Sequence, residues 1–177
     1  MPSQNQRKLE LLVRQNKGRV DHGYYVTELS HILRTQVNPT DILDLQQTDA
    51  IFAIHKSESL KSNSETGFAF KKLWHREPVS MWLNFCHCLG DQLTNESAVL
   101  FAGPYHFCGG VKINPTFALK AVVALLEFDR NTLRLQSLSS TSGLYLDLFE
   151  QESTWLIEMV VWGLWKFSAE TCVATEP

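Results

Sequence analysis

The chain has 177 residues, of which 44% are apolar, 20% charged and 11% aromatic, with a formal net charge of −3. That length supports one domain, spanning 1–177, with a core of its own, and the composition excludes fibrous, low-complexity and disordered classes. The start, MPSQNQRKLELL, lacks the apolar centre of a signal peptide, and no apolar run reaches the roughly 18 residues of a membrane helix, so a cytoplasmic protein with no membrane partner is expected. In that setting Cys86, Cys88, Cys108 and Cys172 read as reduced thiols, and no oxidised pair is expected.

Leu9, Leu12 and Val13 recur at helical spacing among Arg7, Lys8, Arg14 and Lys17, which predicts an amphipathic first helix over 4–17 stopped by Gly18. Thr27 opens a short second helix burying Leu29, Ile32 and Leu33. Asn38 followed by Pro39 has the form of a cap and first helical position for a third, through Ile42, Leu43 and Leu45. The apolar run Ala50 to Ile54 has strand length. Ser57 to Gly67, polar and without a period, reads as a flexible loop.

Pro78 begins a helix that places Met81, Trp82, Phe85, Cys86 and Leu89 on one face and ends near Gly90. Ala98 to Ala102 is a buried-strand pattern, and Tyr105 to Ile113 is its expected neighbour, broken at Gly109 and Gly110. Asn114 and Pro115 cap a helix to Glu127 that is apolar nearly all round, and such a helix is buried. Thr132 to Gln136 alternates as a half-buried strand. Gly143 to Gly163 then reads as a β-hairpin joined through Gln151, Glu152 and Ser153. Helices crowd the first half and strands the second, which argues for an α+β fold with N-terminal helices, one buried central helix and a mainly antiparallel sheet drawn largely from the C-terminal half.

The chemistry-bearing residues support several readings. Cys86, His87 and Cys88, then His106 and Cys108, are the ligand types zinc takes, but neighbours two apart on a helix point away from each other, and neither a metal nor another cofactor is expected. Cys108 beside two glycines could act as a nucleophile with His75, His87 or His106 as base, yet no cysteine-hydrolase signature surrounds it. Asp147, Glu150 and Glu158 could pair as catalytic carboxylates, although Asp147 and Glu150 fall on opposite faces of one strand. No phosphate-binding loop, dinucleotide fingerprint, nucleophile elbow or zinc-protease helix occurs. Arg7, Lys8, Arg14, Lys17 and Arg19 are diluted by Glu10, Asp21 and Glu28, so nucleic acid is not the expected partner.

Charge is unevenly distributed. Residues 1–80 carry 11 Lys and Arg against 9 Asp and Glu, whereas residues 81–177 carry 5 against 10. Within 127–158 stand Glu127, Asp129, Asp147, Glu150, Glu152 and Glu158 against only Arg130 and Arg134. A sheet with one buried face would leave Tyr145, Asp147 and Phe149 exposed together, beside Glu158 of the partner strand, and aromatic anchors ringed by charge make a protein interface. The competing reading is that helices cover this face and that Tyr145, Phe149 and Trp162 complete a second small core.

The segments VVALLEFD (122–129), GLYLDLFE (143–150) and the strand ending VVWG (160–163) resemble the C-terminal halves of small bacterial immunity proteins of the contact-dependent inhibition type. The resemblance covers the last third of the chain. It implies a cytoplasmic, non-enzymatic α+β protein that binds and neutralises a toxin, with a basic toxin domain as partner. Asp147, Glu150, Glu152 and Glu158 would then supply charge, and Tyr145, Phe149 and Trp155 the anchors. A small cysteine- or metal-dependent enzyme and a nucleic-acid-associated regulator are the alternatives.

Overall fold

A computed structural model describes residues 4–64 and 67–174. Among them are seven α-helices and a six-stranded, wholly antiparallel sheet, an α+β architecture. The strands are β1 (Ala69–His75), β2 (Ala98–Phe101), β3 (Val111–Ile113), β4 (Thr132–Ser137), β5 (Gly143–Gln151) and β6 (Thr154–Trp162), in the order β1-β6-β5-β4-β2-β3. The expected hairpin is β5 and β6. Its two-residue turn, Glu152 and Ser153, takes positive φ at both positions (50° and 64°), the handedness that matches the twist of the flanking strands.

One face of the sheet carries the main core. Leu133, Leu135, Leu144, Leu146, Ile157, Met159 and Val161 pack there beneath α3 (Val79–Gln92), α5 (Pro115–Lys120), α6 (Val122–Phe128) and α7 (Trp165–Ala174). The apolar segment after Pro115 is two short helices that break at Ala121, not one. Ala118, Leu119, Val122, Leu125 and Leu126 are buried as expected, while Phe117 and Val123 look outward.

The N-terminal half departs most from expectation. Residues Gln4–Leu33 form a single helix, α1, and Gly18 lies inside it. A Cβ at that position would overlap the carbonyl oxygen of Phe107, so the glycine permits the close approach of α1 to the short helix α4 (Tyr105–Cys108) and is not a stop. Pro39–Asp41 is a single 3-10 turn, and Ile42 leaves it extended. Ala50 to Ile54 is not a strand, nor is Ser57 onward a loop, because both lie in α2 (Leu45–Ser64). Residues 65 and 66 of that expected loop fall outside the described residues. Tyr105–Cys108 is a helical turn, so of the expected neighbouring strand only β3 pairs with β2, whose other partner is β4.

The cysteines also differ from expectation. Cys88 and Cys172 form a disulfide, with their Cα atoms 5.9 Å apart, and tie α7 to α3. Cys86 and Cys108 are the buried free thiols. The oxidised pair escaped sequence reading because α7 was not recognised as an element, so nothing placed Cys172 beside α3.

Candidate functional site

The sheet's second face is covered over only part of its area. Strand register sets its side chains in rows: Trp162, Gly143, Gln136 and Val99; then Lys71, Val160, Tyr145, Arg134 and Phe101; then Leu73, Glu158, Asp147 and Thr132; then His75, Leu156 and Phe149. Helix α2 crosses the first rows. Phe52 packs 5.2 Å from Phe101 and 5.2 Å from Tyr105, and His55 lies 5.1 Å from Trp162, between ring centroids. A small second core results, made of Leu43, Val99, Phe101 and Tyr105 with Ile51 and Phe52 against it. Trp162 is buried under the helix, but Tyr145 and Phe149 do not join that core and remain half-buried.

Beyond α2 the lower rows are open. Leu73 is 54% exposed, and Phe149, Leu156, Asp147 and Glu158 keep part of their surface in solvent. Asp147 and Glu158 stand directly opposite each other on β5 and β6. Like charges in that position repel, and no described cation forms a salt bridge with either. Burial first, and then the nearby carboxylates of Asp147 and Glu158, push the pKa of the Tyr145 hydroxyl well above the usual tyrosine value.

The remaining expected anchors lie elsewhere. Glu150 and Trp155 form a cross-strand pair whose side chains project to the opposite, main-core face, and the Trp155 ring sits 5.8 Å from the Arg76 guanidinium. Glu152 is exposed in the turn. The surface is also less acidic than the hairpin alone suggests, because β1 lays Lys71 and His75 along its border. Sequence reading missed β1: the pair Lys71 and Lys72 interrupts its alternation.

Where α4 meets β4 the open face runs into a groove of about 620 Å³ lined by Tyr105, His106, Asp129, Arg130, Thr132 and Arg134. Asp129 is the polar hub of this groove. It accepts hydrogen bonds from Gly103 N–H (3.0 Å), the Thr132 hydroxyl (3.2 Å) and Arg134 Nη1 (2.9 Å), yet burial outweighs these and leaves its pKa raised. Arg134 thus arrives already neutralised and serves to hold the β4 edge of the face.

Cys86, Cys88, His106 and Cys108 do not converge: among the described residues no three His, Cys, Asp or Glu side chains are grouped as metal ligands. Cys108 is a poor nucleophile by its surroundings, since burial first and Asp21 second push its thiol up to about 11. In the basic N-terminal helix, Arg14 is committed to a bidentate pair with Asp49 (2.7 and 2.8 Å) and to the His106 carbonyl, and Lys17 lies over the Phe107 ring. No protein-family model, curated protein or solved structure matches the chain.

Proposed function

We propose that the protein works by binding another protein through the open lower rows of the second sheet face, with Leu73, Phe149 and Leu156 as apolar contacts and Asp147 and Glu158 as the charged centre. One observation carries this reading: two carboxylates face each other across a ladder, with no salt bridge to either among the described residues, beside exposed Leu73 and half-buried Phe149 and Leu156. In the isolated protein that arrangement costs free energy, and a lysine or arginine entering from a partner would relieve it. The partner is therefore basic at its contact point. A toxin-neutralising role, in which this face covers a basic toxin domain, fits that chemistry and the resemblance of the C-terminal third to immunity proteins.

The test uses the polypeptide encoded by the gene beside this one, titrated calorimetrically with the wild type and with the double variant Asp147→Lys, Glu158→Lys. Submicromolar binding by the wild type and a loss of tenfold or more in the folded variant is the expected outcome. Equal affinity for both would remove the face from the interface.

A further inference from the structure

The sheet has two edges, and they are not treated alike. At one end β3 is three residues long, and the chain at Ile42 bridges to Val111 and shields it. At the other end β1 is seven residues long, and β6 is its one strand neighbour among the described residues. The N–H of Arg76 donates to Trp155 O at 2.8 Å, which makes that pair a bonded rung of the ladder. By the antiparallel alternation, Trp74, Lys72 and Phe70 also bond toward β6, and the N–H and C=O groups of Ala69, Lys71, Leu73 and His75 point away from the sheet.

We infer that β1 is a strand-addition site, whose occupant is an extended acidic segment of a partner protein that becomes a seventh strand of the sheet. Main-chain bonds would be made with Lys71, Leu73 and His75, and side chains in that register determine which segment fits. From Gly67 to Arg76 the chain carries Lys71, Lys72, His75 and Arg76 and no Asp or Glu. Leu73 stands exposed between Lys71 and His75 on the same face. The matching segment thus presents acid, apolar and acid at alternate positions, and the leucine would be covered when it docks. A second copy of this chain fits less well. Pairing β1 with itself about Leu73 sets Lys71 against His75 of the other copy, twice, so neither lysine gains the opposite charge that an acidic segment supplies. Leu73 borders both surfaces, but this inference does not rest on the proposed function, because the main-chain groups of β1 that seek a strand are distinct from the Asp147 and Glu158 carboxylates that seek a cation.

The probe is an acetylated and amidated heptapeptide, Val-Glu-Val-Leu-Val-Glu-Val, with a lysine version and a version N-methylated at its leucine and both glutamates as controls. Amide hydrogen exchange of the full chain, with and without peptide, reads the site, and fluorescence anisotropy reads affinity. The expected result is protection of the Lys71, Leu73 and His75 amides by the glutamate peptide, at least tenfold weaker binding of both controls, and a reversed preference for the lysine peptide in Lys71→Glu. Unchanged exchange at those three amides under millimolar peptide would overturn the inference, as would equal binding of the glutamate and lysine peptides. Concentration-dependent dimerisation of the chain alone that protects the same amides would overturn the acidic occupant in favour of a second copy.

Discussion

Replacing Cys172 by alanine removes the tie between α7 and α3. The bond spans 84 residues of sequence, and the loop-closure relation for a chain of that length assigns it about 4.5 kcal/mol of stabilisation through restriction of the unfolded state. For a domain of this size that corresponds to roughly 10 °C or more in Tm. Trp165, Ala169 and Cys172 are the buried residues of α7, so without the bond this helix keeps chiefly the packing of Trp165 and Ala169 and the Lys166 contact to the Gly67 carbonyl. The assay is urea denaturation of wild type and Cys172→Ala, each with and without a phosphine reductant, alongside thiol titration of the unfolded chain. Wild type without reductant should show two reactive thiols, Cys86 and Cys108, and a midpoint well above that of the variant. Reductant should bring the wild type down to the variant's midpoint and leave the variant unmoved. Four reactive thiols in the untreated protein, or a wild-type midpoint indifferent to reductant, would refute the reasoning.

Three further expectations follow from the core and the hairpin. Leu126 is 3% exposed beneath the sheet, so Leu126→Ala should cost about 2 to 5 kcal/mol in denaturant titration, and a near wild-type midpoint would place that helix face in solvent. His55 is buried with its pKa lowered to about 4, chiefly by desolvation and then by Arg134. Between that value and about 6.5 the unfolded chain binds a proton that the native chain does not, so stability falls as pH drops through this window, by up to about 3 kcal/mol in total. His55→Gln should flatten the pH dependence, as measured by urea midpoints from pH 7 to 4. Ser153 holds φ at 64° in the hairpin turn, and Ser153→Gly should stabilise by up to about 1 kcal/mol with no change in fold, checked by thermal melting.

How much of this was legible in the residues depended on what each element buries. The hairpin, β2, β4 and the helix after Pro78 bury apolar side chains at their natural period, and pattern reading found all four. Helix α2 could not be found in this way. Its fully buried positions are Leu45, Thr48, His55 and Ser62, three of them polar, so its buried face carries almost no hydrophobic signal, while Ile51, Phe52 and Ile54 imitate a strand. Helix α1 was divided in two because glycine in a helix ordinarily signals an end, and only the packed neighbour, the Phe107 carbonyl, explains Gly18. For the candidate site, the alternation of β5 placed Tyr145, Asp147 and Phe149 on one face from sequence alone. That Glu158 joins them opposite Asp147 required the register, and that Leu73 borders them required β1. Glu150 and Trp155 belong to the other face: alternation already sets Glu150 opposite to Asp147, but grouping the hairpin's acids and aromatics into one surface disregards that separation.

The central claim, that the open sheet face is the partner surface, is tested most directly by mapping the footprint of the partner by hydrogen exchange. The polypeptide encoded beside this gene is added to the chain at saturation, and amide protection is read peptide by peptide. Protection concentrated at 145–149 and 156–158, abolished by Asp147→Lys with Glu158→Lys, is the predicted result. Saturated binding that leaves those segments unprotected and instead shields the groove between α1 and the α5–α6 pair, around Ile32, Phe117 and Val123, would contradict it.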